Sequence, residues 1–288
     1  MNNMRAIRMR IKSLQSTQQV TKSMKMVSAA KLRRAQNAYG KLKTFAETSN
    51  AILSEVVGDV DTEKYPLLAV HPEQKRVCYV LFVGNRGLCG IYHQAILRYL
   101  SELAEQETRA CFLVVSGRWG KESIEKTGIP VERCFEKIDD IPTAGQAHEI
   151  TSYLKRLYLS GQADEIVLVY QQYESVLLQT PARKTLLPVP VETHEDGQKQ
   201  ACIFEPQKGR VLKQLFNLYI ENTVYAALLE AKVSEHAARM TAMTSASDNA
   251  DDLIGSLRLK LNHARQAAIT TEIAEISGGA AVLNKEKN

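Results

Sequence analysis

The feature that most constrains this chain is an apolar stripe at its C-terminal end. Alternating steps of three and four from Leu212 give Leu215, Tyr219, Asn222, Ala226, Leu229, Val233, His236, Met240, Met243, Ser247, Ala250, Ile254, Leu257, Leu261, Ala264, Ala268 and Thr271. The alternation never slips, and no proline follows Pro206. A repeat of 3.5 residues sustained this long specifies a helix that supercoils against a partner. At 1.5 Å per residue that helix is roughly 90–100 Å long, far beyond what a globular domain requires. The chain must therefore supply something to cover it.

The partner is expected at the other terminus. Residues 3–57 contain no proline and one glycine, Gly40. Met4, Ile7, Ile11 and Leu14 begin an apolar stripe, and Ala35, Ala38, Leu42, Phe45, Ser49, Ile52 and Val56 continue one at heptad spacing. Between them, Val20 to Ala30 breaks the strict repeat and is rich in small residues and methionine, which permit close approach and loose packing. The two ends are expected to pair as an antiparallel coiled coil, with the N-terminal helix, at roughly 80 Å, the shorter member.

The middle of the chain differs in kind. All eight prolines lie from Pro66 to Pro206. Arg76–Val83, Cys111–Ser116 and Glu165–Tyr170 are short apolar runs of the kind found in fully buried parallel strands. Helical stretches alternate with them at about 92–107, 120–127 and 145–160. Ser175–Thr180 and Leu186–Val191 read as later antiparallel additions, the second at an edge because of Pro188 and Pro190. The expected fold class is α/β: a long antiparallel two-helix coiled coil formed by the N- and C-terminal helices, with an inserted Rossmann-like α/β domain of mostly parallel sheet. The expected divisions are 1–60, 75–205 and 208–285.

Charge is unevenly spread. Residues 1–46 hold eleven Lys or Arg and no acidic residue, which leaves 26 basic against 32 acidic residues in the remainder. Such an arm calls for an anionic partner: nucleic acid, an anionic membrane surface or an acidic protein face. Tyr39 and Phe45 are the arm's only aromatics, so base stacking is poorly supported. No apolar run approaches the ~18 residues of a membrane span, and the basic start has no apolar signal core. The five cysteines are scattered without a C-x-x-C pair and read as buried free thiols.

Signals of chemistry are sparse. Gly84-Asn85-Arg86-Gly87-Leu88-Cys89-Gly90 follows a strand and precedes a helix, where glycine-rich turns can cradle phosphate, but it matches neither nucleotide-binding spacing. A tight structural turn is the competing reading. The six histidines show no metal spacing, and His236, on the stripe, reads as a polar residue that sets register. No G-x-S-x-G occurs, and Asp248, Asp251 and Asp252 sit on a helix where solvent can reach them. No catalytic, cofactor-binding or metal-ligating residue is expected.

Several motifs resemble one family. Ile11-Lys12-Ser13 and the run from Thr17 to Gln36 (TQQVTKSMKMVSAAKLRRAQ) resemble the opening helix of the gamma subunit of rotary F-type ATP synthases, of bacterial type. Arg86-Gly87-Leu88-Cys89-Gly90 resembles that family's internal D-R-G-L-C-G signature, with Gly84-Asn85 standing where the family has Ser/Thr-Asp. Ser234–Met240 (SEHAARM), Asp248-Asn249-Ala250, Ala264-Arg265-Gln266-Ala267, Ile269–Ile273 and Ser277–Ala281 resemble its C-terminal signature.

The resemblance implies a central rotor shaft without active-site residues of its own. It implies as partners the α and β subunits of an α3β3 ring, an epsilon subunit and a membrane c-ring, with no nucleic acid and no direct membrane span. The implied location is peripheral, on the cytoplasmic side of the bacterial inner (plasma) membrane. By motif match, Arg265 and Gln266 are the polar pair that contacts a catalytic-subunit loop, and Met24 and Lys25 fall in the N-terminal contact region. Arg86 is a candidate contact of the globular shoulder. Arg33 and Arg34 admit two readings, a partner contact or a solvated charge.

Overall fold

The computed structural model describes residues 2–57, 64–118, 121–125, 127–190 and 207–285. The elements, in order, are α1 (Asn2–Val57), β1 (Arg76–Phe82), α2 (Tyr92–Gln106), β2 (Ala110–Ser116), α3 (Lys121–Glu125), β3 (Val131–Phe135), α4 (Ala144–Leu159), β4 (Glu165–Tyr173), β5 (Gln179–Leu187) and α5 (Lys208–Lys285). They form two compact units, Met1–Val27 with Ala242–Asn288, and Ser28–Thr241, and α1 and α5 contribute to both.

The second unit holds a five-stranded sheet in the order β3-β2-β1-β4-β5. Its first four strands are parallel and β5 runs antiparallel to β4. The period of two along β1 divides its side chains between two cores. Cys78, Val80 and Phe82 face α4 and α5, meeting Ile150, Leu154, Tyr158, Phe216 and Ile220. Val77, Tyr79 and Leu81 face α2 and α3, meeting Ile96, Leu100, Leu103 and Ile124. Burial on both faces is why these strands read as continuous apolar runs. Local chemistry sets the helix ends. Thr143 and Gln146 form a reciprocal capping box at the start of α4, and Gly161, at φ 70°, turns the chain away after it.

The α/β class and the paired terminal helices are as expected, with three corrections inside the unit. A strand that the sequence did not announce, β3, forms at the sheet edge; the adjacent charges Glu132 and Arg133 interrupt any apolar run. Ser175–Leu178 is a hairpin turn, not a strand. Ser175 Oγ accepts the Leu177 and Leu178 N–H groups there, and β5 is one strand running to Leu187. Past Leu42 the face of α1 keeps Ser49 buried as expected but departs at two positions: Phe45 and Ile52 are exposed, while Leu53 is buried. Among the described cysteines, Cys78 and Cys89 are buried and Cys111 and Cys134 half-buried, with no disulfide between them. Cys202 and Val191 lie outside the described residues.

In the first unit, Met4, Ile7, Ile11, Leu14 and Gln18 are half-buried and Thr21 is buried. They follow one 3-4 register up to Thr21; the next covered residue, Met24, comes only three positions on, so the strict alternation slips inside the stretch expected to break it. On α5, Met243, Ser247, Ala250 and Ile254 are buried, and Lys22 pairs with Asp251 across the helices at 3.7 Å. Val20, Met26 and Val27 face outward. The stripe expected to run to Thr271 stops being covered at Ala264, and Arg265–Gly278 is exposed throughout.

Candidate functional site

The parallel sheet reverses its order of connection between β1 and β4, and the crevice beyond the carboxyl ends of two such strands is where open α/β sheets take ligands. Here α5 lies across that crevice. Ser234 Oγ donates to the Gln171 carbonyl at 2.8 Å, and Tyr92 Oη donates to the Ala231 carbonyl at 2.9 Å. Gln171 Nε2 closes the circuit by donating to the Tyr92 carbonyl at 3.0 Å. The glycine-rich loop after β1 faces a carboxylate of the chain itself. A Cβ placed on Gly84 would sit 2.5 Å from Glu235 Cδ and 2.6 Å from its Oε1. The glycine leaves room for this close approach, and the loop packs as a turn on α5.

Three charges fix that contact. Glu235 accepts Lys232 Nζ at 2.9 Å and Arg239 Nη2 at 2.7 Å, a spacing of three and four residues that brings all three to one helix face. All three are buried. Burial pushes the Glu235 carboxyl up, but the two cations outweigh it and hold its pKa at about 2. Arg239 then reaches the loop: Nη2 donates to the Arg86 carbonyl at 2.9 Å and Nε to the Gly87 carbonyl at 3.2 Å. Burial pushes His93, beside Arg86, down to about 4, and it also depresses His236. His236 is 1% exposed, with Nε2 at 3.3 Å from the Asp140 carbonyl, in keeping with a polar residue inside the seam.

With its backbone held, the loop turns Arg86 and Leu88 outward while Cys89 is buried. Leu88 adopts φ 60° and is 64% exposed, Ile91 is 75% exposed and Arg86 is exposed. Asp140, one loop away, accepts Lys31 Nζ of α1 at 2.6 Å. Among the described residues no cluster of His, Cys, Asp or Glu could hold a metal ion.

The residues singled out by sequence divide between the two units. Arg33, Arg34 and Arg86 belong to the second unit and are exposed. Met24 (half-buried), Lys25, Arg265 and Gln266 (exposed) belong to the first. What sequence reasoning missed is the Lys232–Glu235–Arg239 cluster and the bonds of Asn85. A signal existed: three charges at helical spacing beside apolar Val233 and Met240, on a helix face that the stripe already marked as covered.

The comparisons follow from this architecture. Residues 3–283 match the family model described as ATP synthase. The chain is 40% identical over 284 residues to the ATP synthase gamma chain of Pelotomaculum thermopropionicum, covering 98% of this chain and 100% of that one. It is 42% identical over 285 residues to that of Desulforamulus reducens, with the same coverage. Among solved structures, a chain of the Euglena gracilis mitochondrial ATP synthase OSCP/F1/c-ring is similar at TM-score 0.71 and 20% identity, covering 100% of this chain and 96% of that one. A chain of the rotor of the same enzyme is similar at TM-score 0.66 and 18% identity, covering 93% and 99%.

Proposed function

The chain belongs to the ATP synthase gamma-chain family, and from that membership we propose how it works: as the central shaft that turns inside a ring of α and β subunits. One observation carries this reading. The match to gamma chains runs the full length of both partners, helices and inserted sheet together. Within the complex the chain serves as a rotor stalk that couples ion flow through a c-ring to ATP synthesis or hydrolysis on the β subunits, and it stands beside an epsilon subunit.

The finer points are our own reading. The chain has no active site of its own; the crevice that would take a nucleotide in a related fold is filled by Ala231, Ser234 and Glu235. Arg265 and Gln266 meet a loop of a catalytic subunit, supported by their exposure on α5. Met24 and Lys25 make the N-terminal contact, and Arg33, Arg34 and Arg86 offer charge to an acidic face of the ring. The complex is membrane-attached, and this subunit sits on the cytoplasmic side of the bacterial inner membrane. No described helix is long and apolar enough to cross a membrane.

The test is reconstitution. Matched bacterial α and β subunits are purified with and without this chain, and assembly and multi-site ATP turnover are measured. A stable complex with one copy of the chain, and turnover that appears only with it, is the expected result. Failure of α and β to retain the chain or gain activity would overturn the reading.

A further inference from the structure

A shaft built partly from a sheet domain and partly from helices must stop the two from slipping against each other. Apolar contact resists separation, but it is non-directional and weak against sliding. Hydrogen bonds lose strength steeply with misalignment, and charged ones are roughly twice as strong as neutral ones. The joint between α5 and the loop after β1 is built from the second kind. Arg239 holds the carbonyls of two consecutive loop residues, Arg86 and Gly87. Glu235 holds Arg239 in turn and presses its carboxylate against Gly84. The same loop is tied to its neighbours, since Asn85 bonds to the Ile138 carbonyl and to the Arg118 N–H. Stability alone does not call for buried charges here, because a well-packed apolar replacement is often neutral or better.

We propose that Glu235 and Arg239 are positioning residues that clamp the 84–90 loop to α5, so that the sheet domain and the helix turn as one stiff body under load. The proposal rests on the shaft reading and adds to it the place where torque crosses between side chains. Two features make it specific. The two Arg239 donors meet carbonyls one residue apart, which fixes the loop both along and across the helix. The Glu235 carboxylate occupies the space beside Gly84, so a single methyl there disturbs the clamp without removing any charge.

The experiment uses the chain assembled with α and β subunits, with a rotation probe on exposed Gln94→Cys. Two quantities are read: ATP turnover without load, and torsional stiffness from the angular spread of the probe during pauses. Arg239→Lys keeps the charge but loses the two-carbonyl grip, and Gly84→Ala displaces Glu235. Arg239→Lys is expected to lower stiffness by roughly twofold, since one donor replaces a grip on two carbonyls, and Gly84→Ala to lower it as well, while unloaded turnover stays near wild type. Glu235→Asp in the Gly84→Ala background shortens the acid, makes room for the methyl and restores stiffness. Unchanged stiffness in both single variants, or turnover and stiffness falling in parallel, overturns the clamp. A wild-type chain that assembles with no ring would overturn the shaft reading instead, a result distinct from either.

Discussion

Asn85 bridges two loops: its Nδ2 donates to the Ile138 carbonyl at 2.5 Å while its Oδ1 accepts the Arg118 N–H at 3.1 Å. The family signature has an acid at this position, and a carboxylate could accept from Arg118 but could not donate to Ile138. The amide therefore makes a neutral clip between the end of β1 and the segments that follow β2 and β3.

Asn85→Asp is expected to cost about 1–3 kcal/mol at neutral pH, the penalty of facing a carbonyl with an unmatched acceptor. The new carboxyl donates only when protonated, so its folded pKa is raised above the ordinary ~3.9. The favourable form is fully present below the unfolded value and is lost as pH rises through the folded one. Urea midpoints of variant and wild type should therefore converge between pH 7.5 and pH 4 (about the carboxylate range). A constant gap would count against the bond.

Lys31 and Asp140 join α1 to the loop before α4. Burial pushes the Asp140 carboxyl up, but the Lys31 hydrogen bond and charge outweigh it, and the net shift is downward. With a depressed folded pKa, the pair's contribution is present above the unfolded value of ~3.9 and is lost as pH falls through the folded one. The Asp140 side chain is 40% exposed, so screening keeps the effect small. Lys31→Met should cost about 0.5 kcal/mol at pH 7, and the difference should close under acid. Paired denaturant titrations at neutral and acid pH measure it.

Leu88 stands at φ 60° with its side chain 64% exposed. A β-branched residue is far worse in that region than leucine. Leu88→Val is expected to cost about 1–2 kcal/mol, although most surface changes stay within ~0.5 kcal/mol. Leu88→Gly should be neutral or better. Thermal melts of the two variants decide the point: equal melting temperatures would mean that the turn relaxes in solution.

Arg265 and Gln266 carry no part of the fold, because their side chains are exposed. The Arg265→Ala, Gln266→Ala double variant should therefore keep its stability within ~0.5 kcal/mol and still lower ATPase activity and ATP-driven rotation of the assembled complex. Unchanged activity would remove these residues from the contact assignment.

The terminal helices were legible because their signal is long. A 3-4 repeat carried from Leu212 to Ala264 is read from residue types alone, and so is the alternation of buried runs with helices that gives the sheet. Where the repeat depended on polar residues, pattern reading failed. Gln18 and Thr21 hold the α1 seam although neither is apolar, and Leu53 is covered while Phe45 and Ile52, at the heptad positions, are exposed. The edge strand β3 escaped for the same reason, with Glu132 exposed and Arg133 half-buried along it.

The sequence by itself determined the elements, their order and the family to which the motifs point, because those depend on periodicity and local spacing. Only the tertiary structure decided what the glycine-rich loop is for. Gly84 and Glu235 are 151 positions apart in the chain, and no local pattern says that one leaves room for the other. Their meeting follows from α5 crossing the mouth of the β1–β4 crevice, a matter of packing between distant elements. Burial there turns three ordinary helix charges into a fixed network, because charges taken out of water must find partners within reach.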